Sequence, residues 1–228
     1  MVVEFLQNSS AEIITTDFDV QATLNVHPDA DYVIFFVGVS AANVATDRSL
    51  FGLFHKYDGT KVPIMQEANL LNQNQRKYRF QLGRQGSPST GDHAYEVKFD
   101  YTGTKTVLFV ASSYKGVDLS VTGMGDVATE TNTDEPTALS INSTASGNLV
   151  VDGMLYREII PGLHPPGGAP IESGTQNLAT LSGIFTVDND DWGIVVSDQS
   201  TTVSGDVFVQ WSGFTNAHVH LAGVVVTS

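Results

Sequence analysis

The stretch HAYEVKFDY (93–101) places Tyr95, Val97, Phe99 and Tyr101 on one side and Ala94, Glu96, Lys98 and Asp100 on the other. A strict period of two, apolar against polar, is the signature of a strand with one buried face. Working outward, the same signal recurs along the chain. DYVIFFVGVS (31–40), RKYRFQLG (76–83), TVLFVASSY (106–114) and NLVVDGMLY (148–156) read as strands, as do LATLSGIFTV (178–187), WGIVVSD (192–198), DVFVQWSG (206–213) and HVHLAGVVVT (218–227). SLFGLFHKYDGTKVPIM (49–65) reads as two strands joined at Asp58-Gly59, a dipeptide suited to a tight hairpin turn.

Helical periodicity is nearly absent. IMQEANLLNQNQRK (64–77) is the one stretch suited to a helical turn or two, and its three asparagines weaken even that. GDVATETNTDEPT (125–137) reads as an acidic, polar loop. IIPGLHPPGGAPIESG (159–174) reads as a Pro/Gly-rich surface loop or an interaction arm. No internal repeat is visible. The pattern predicts an all-β chain: a jelly-roll-like antiparallel β-sandwich with very little helix. Residues 1–30 are expected to form an N-terminal arm or the first strands, and residues 31–228 a single β-sandwich domain.

The chain has 228 residues, 41% hydrophobic and 16% charged, enough apolar material for a sizeable core. With 25 acidic and 11 basic residues, its formal net charge is −14. A surface of that sign repels nucleic-acid phosphates and anionic lipid headgroups, so neither nucleic acid nor membrane is expected as a partner. No cysteine is present, which excludes disulfides, zinc-thiolate sites and cysteine nucleophiles. MVVEFLQNSSAEIITTDFD at the N-terminus has neither a basic segment nor a long apolar one, so no signal peptide is expected.

His218 and His220 are two residues apart on a strand and so point to one face. A metal site needs a third ligand, and the other histidines (His27, His55, His93 and His164) are scattered singly, so the pair reads as the rim of a closing strand. VDNDDW (187–192) gathers hard oxygen ligands, and Asp188, Asp190 and Asp191 form a candidate calcium site; the competing reading is an Asx-stabilised turn. Trp192, beside that turn, is the candidate glycan contact, whereas Trp211 shares a face with Val207 and Val209 and is expected in the core. Leu221, Val224 and Val226 on the last strand are candidate interface residues. No nucleophile elbow, P-loop or dinucleotide fingerprint occurs and no carboxylate pair stands out, so the expectation is a non-enzyme with no cofactor apart from the calcium candidate.

The order of segments, from DADYVIFFVGVS through DGTKVPIM, RKYRFQLGRQGSPSTGDHAYEVKFD, TVLFVASSYKGVD and SGNLVVDGML to VFVQWSGFTNAHVHLAGVVV, resembles jelly-roll-like sandwich domains of phage virion structural proteins and bacterial surface proteins. The likeness covers roughly residues 30–227, and its motifs, SYKGVD and GNLVVDG, are structural. The longer 64–77 segment and the loop at 159–174 have no counterpart in that pattern. The resemblance implies a virion component made in the host cytoplasm: a capsid decoration or cement protein, or a head- or tail-fibre subunit. It would stabilise a particle through contacts with other virion proteins, as a homo-oligomer with a trimer favoured. The alternative is a glycan-binding module for host attachment, calcium-assisted or not.

Overall fold

A computed structural model describes residues 3–41, 52–71, 77–132 except 102 and 122, 139–158 except 144 and 146, 171–172, 179–185, 190–200, 204–212 except 210, and 218–226. The strands are Glu4–Thr15 (β1), Asp19–Val26 (β2), Tyr32–Ala41 (β3), Gly52–Tyr57 (β4), Thr60–Lys61 (β5), Ile64–Leu71 (β6), Lys77–Gly86 (β7), Gly91–Phe99 (β8) and Lys105–Lys115 (β9). After a 3-10 turn at Leu119–Val121 come Met124–Asn132 (β10), Leu139–Ser143 (β11), Leu149–Glu158 (β12), Ile171–Glu172 (β13), Ala179–Phe185 (β14), Asp190–Ser200 (β15), Gly205–Val209 (β16), Trp211–Ser212 (β17) and His218–Val225 (β18). All strand pairs are antiparallel.

The fold is an all-β antiparallel sandwich of the jelly-roll type, and it occurs twice. In the first half, an inner sheet of order β1-β9-β3-β7-β6 packs on an outer sheet of order β2-β8-β4-β5. In the second half, an inner sheet of order β10-β18-β12-β15-β14 carries the pairs β11-β16 and β13-β17. Reading β10 as the equivalent of β1, β12 of β3, β14 of β6, β15 of β7 and β18 of β9, the two inner sheets have one topology. The repeat lies in the strand order and not in the residues.

The inner sheets face each other. β6 meets β10 and β18, and β14 meets β1 and β9, which are equivalent contacts exchanged between the halves. An approximate two-fold axis parallel to the strands relates the two sandwiches. Tyr32 and Leu149 are equivalent, each opening its strand and pairing with the last residue of β7 or β15. Counting along, Phe36 corresponds to Gly153, and Gly38 to Leu155. These are the residues that touch across the axis: a Cβ on Gly153 would lie 2.6 Å from the Phe36 ring, and one on Gly38 would lie 2.8 Å from Leu155 Cδ1. Each large side chain sits over a glycine at its own equivalent position, which lets two sheet faces approach closely.

Both faces of β3 are therefore buried. Tyr32, Ile34 and Phe36 join the core between the inner sheets, with Phe80, Leu82, Leu108, Val151, Leu155, Ile194 and Leu221. Val33, Phe35, Val37 and Val39 join the core of the first sandwich, with Leu24, Tyr57, Tyr95, Val97 and Phe109. A third cluster, of Leu139, Ile141, Val150, Val209, Ala222 and Val224, lies under the β11-β16 pair.

Residues 4–15 and 19–26 are integral strands of the two sheets of the first sandwich. β1 side chains also cap the free edge of β2: the Asn25 N–H donates to Ser9 Oγ at 2.9 Å, and Gln7 Nε2 donates to Asn25 O at 3.2 Å. Such capping removes the unpaired groups that make an edge adhesive. The Asp58-Gly59 turn forms as expected, with φ of 47° and 73° in the left-handed region that Asp and Gly tolerate best.

Two expectations are corrected. Ile64–Leu71 is a strand and not a helical turn, because pairing with β7 supplies its backbone partners and buries Ala68. The acidic segment at 125–137 is β10 as far as Asn132, an edge strand that pairs with β18 on one side from Val127 to Asn132, after a register shift at 125–126, and whose Val127 packs on the core. Residues 133–138 lie outside the described residues, as do 159–170 and 173–174 of the Pro/Gly-rich segment; Ile171–Glu172 within it pairs with β17.

Candidate functional site

The second half holds the buried carboxylates Asp152 and Asp198, the latter beside Tyr114. Three groups of chemistry-bearing residues lie in the first sandwich. The first is buried. His55 on β4 is 3% exposed, and its Nδ1 lies 3.1 Å from the Tyr95 hydroxyl on β8. Tyr95 is fully enclosed, and burial pushes its pKa far above the usual phenol value, so it keeps its O–H, for which His55 Nδ1 is the acceptor at hand. The ring proton then sits on Nε2, a buried atom with no hydrogen-bond partner among the described residues, with Gln81 of β7 nearby. Gln81 Nε2 donates to Glu67 Oε2 on β6 at 3.2 Å, and the same oxygen accepts from Arg79 Nη2. Arg79 is 2% exposed, while the Glu67 side chain is 44% exposed. Burial is the largest influence on both cations. It lowers His55 to about 4, with the Arg79 charge adding to the effect, and it lowers Arg79, which Glu67 pulls back.

The second group has the residue types of an acyl-transfer triad: Asp58, Ser89 and His93. Its geometry is different. Ser89 Oγ donates to Asp58 Oδ2 at 2.5 Å, His93 Nδ1 meets Asp58 Oδ1 at 3.2 Å, and His93 Nε2 is engaged with the Thr90 carbonyl at 3.0 Å. A serine nucleophile must give its proton to the imidazole, and here it is bonded to the carboxylate. The cluster ties the β4–β5 turn to the β7–β8 connection, helped by the Tyr57 hydroxyl donating to the Ser89 and Gly91 carbonyls. The hydrogen bond from Ser89, with His93 beside it, holds the Asp58 carboxyl below its usual range.

The third group lines a shallow groove of about 370 Å³ on the solvent face of the outer sheet. Asp19 and Gln21 come from β2, Glu96 and Lys98 from β8, and Phe54 and Lys56 from β4. The register sets them in two cross-strand rows, Asp19–Lys98–Phe54 and Gln21–Glu96–Lys56. Lys98 Nζ is 3.7 Å from Asp19 Oδ1, and Lys56 Nζ is 4.5 Å from the Phe54 ring centroid. Opposite charges side by side are ordinary cross-strand stabilisation on a wet face, and they also present donors, acceptors and one aromatic ring to a polar ligand.

The residues singled out from the sequence lie in the second sandwich. Asp188 is outside the described residues. Asp190, Asp191 and Trp192 open β15; Asp191 is paired with Glu158 and Ile184, and Trp192 with Arg157 and Gly183. His218 opens β18 between Asn132 and Tyr156, and His220 lies between Glu130 and Met154. β18 is thus an interior strand, flanked by β10 and β12, and not a sheet rim. Leu221 and Val224 are 0% and 1% exposed and face opposite ways, Leu221 toward the first sandwich and Val224 under β11-β16; Val226 is half-buried. Among the described residues, no group of three or more His, Asp or Glu is gathered for a metal.

Sequence reasoning missed the His55 network and the groove. Arg79 and Gln81 alternate with Tyr78, Phe80 and Leu82 in a way that reads as a wet face, yet both sides of that sheet are covered. Comparison with protein-family models, with curated proteins and with solved structures finds no match.

Proposed function

We propose that this chain is a non-enzymatic structural subunit of a phage virion, a capsid decoration or cement protein or a head- or tail-fibre subunit, that stabilises the particle through protein–protein contacts. The observation that carries this reading is the fusion of two jelly rolls across a fully buried face, with their strands running the same way. Such a block is stiff and leaves its outer faces and two ends for neighbours. Its buried polar groups tie strands together, and the triad-like set Asp58, Ser89 and His93 is a turn staple. Exposed apolar side chains, Ile14 and Phe18 at one end and Phe208 on β16, suit contacts with other subunits. The segment order that resembles virion sandwich domains supports the same reading.

Light scattering on the purified chain tests it. A closed homo-oligomer, with a trimer favoured, is expected, its mass and melting temperature unchanged by a chelator. A monomer at every concentration would count against the reading. A melting temperature that falls on chelation would point instead to a native-state calcium site, since a ligand bound only by the folded chain stabilises it by mass action.

The groove on the outer sheet favours a second reading, a glycan-binding module. It predicts that Phe54→Ala weakens retention on a host glycan surface while leaving the melting temperature within a degree or two; unchanged retention, or none by the parent chain, would dismiss it.

A further inference from the structure

His55 lies where the small outer-sheet hairpin β4–β5 presses on β7, and every charged or titratable group facing it can be named. Tyr95 meets it from β8, Arg79 from β7 and Glu67 from β6, with the neutral Gln81 between them. Lys56 and Lys61, its neighbours on the hairpin, are partly or fully exposed, and Lys56 rests on Phe54 on the opposite face. Among the described residues, the slot therefore holds one buried cation, Arg79, and one carboxylate, Glu67, which already bonds it. A second cation at His55 has no carboxylate of its own. Its Nδ1, now a donor, would also face the Tyr95 O–H, which has to turn away.

We propose that His55 makes the β4–β5 hairpin an acid-released flap of the first sandwich, ionisation of the imidazole beside Arg79 freeing the hairpin from β7. The hairpin is suited to this: β5 is two residues long, pairs only with β4, and is exposed. Its attachment to the rest is the β4–β8 ladder, the buried Tyr57 and Val62 side chains, the His55 contacts and the tip staple at Asp58; on β7 itself it is the side-chain contacts of Val62 and His55.

The sign follows from linkage. His55 is held at about 4 when enclosed, against 6.5 when free. Between those values the open form binds the proton and the closed form does not. Closure is favoured fully above 6.5, weakens as pH falls, and has lost the whole contribution below 4. The opening equilibrium should rise roughly 30-fold between pH 7.5 and pH 5. The Asp58 carboxyl of the tip staple is held below its usual 3.8, so it stays ionised between pH 7.5 and pH 5.

Hydrogen exchange of the 52–61 amides at pH 7.5 and pH 5, corrected for intrinsic rates, tests the proposal. The expected result is about a 30-fold gain in opening at pH 5 for the parent chain and little pH response in His55→Gln, which keeps an acceptor for Tyr95 and carries no titratable group. The same gain in His55→Gln, or none in the parent chain, would overturn it. An NMR titration of the parent's imidazoles guards against a variant that fails to fold: His55 is expected to stay neutral down to about pH 4 to 5, and titration near 6.5 in the folded chain would also overturn it.

Discussion

Gly153→Val is expected to destabilise the chain by about 3 kcal/mol in urea titrations, although valine is the better strand residue. The reason is the two-fold contact. A Cβ at residue 153 lies 2.6 Å from Phe36 Cδ1 and Cε1 and 3.1 Å from Phe80 Cζ, and Phe36 is held by its ring stacking on Phe80 at 5.6 Å between centroids. Phe36→Ala alone leaves a cavity and should cost about 3 to 5 kcal/mol. The pair together should cost less than the sum, because each change makes room for the other; a coupling of about 1 to 3 kcal/mol is expected. Strict additivity, or a Gly153→Val chain more stable than the parent, would mean that the halves do not meet at these residues.

Val224→Asp should prevent folding outright. Val224 is 1% exposed, among Leu139, Ile141, Val150, Val209 and Ala222, apolar side chains that offer a carboxylate no partner. An unpaired buried charge costs several kcal/mol, comparable with the roughly 5 to 15 kcal/mol that holds a domain together. Val226→Asp, at a half-buried position two residues on, should cost about 1 kcal/mol or less. Circular dichroism and soluble yield separate the two variants. A folded Val224→Asp chain would place that residue on an outer surface and undo the assigned role of the β11-β16 pair.

The fold class was legible because period-two alternation survives wherever one face of a strand is wet, as in β8, and because Asp58-Gly59 has few conformations other than its turn. Strands that the pattern leaves undecided or misses are those whose polarity is set by position. β1, open between an arm and a first strand, and β10, which reads as a loop, are edge strands with mixed, polar sequences, EFLQNSSAEIIT and MGDVATETN, and the unnoticed β11 spans only LSINS. The doubling escaped notice for a more basic reason. Across a two-fold contact, identical large residues would collide and identical glycines would leave a gap, so Phe36 answers Gly153 and Leu155 answers Gly38. Good packing at the axis requires the repeats to differ there.

Of the candidate sites, the acidic turn was read from local density, and density alone does not say where side chains go. The His55 network could not be read at all. Tyr95 is 40 residues from His55, and Arg79 and Gln81 look like a solvent face until a second layer is laid over them. A lone histidine in GLFHKY carries no sign of the burial, or of the nearby guanidinium, that makes its charge state matter.

The central claim is that two jelly rolls form one body, the unit on which any assembly role rests. Scanning calorimetry of the intact chain at neutral pH addresses it most directly. One transition is expected, with calorimetric and van't Hoff enthalpies in agreement, because opening either sandwich strips the shared core between the inner sheets. Two resolved transitions, each carrying about half of the enthalpy, would contradict it and make the halves independent domains.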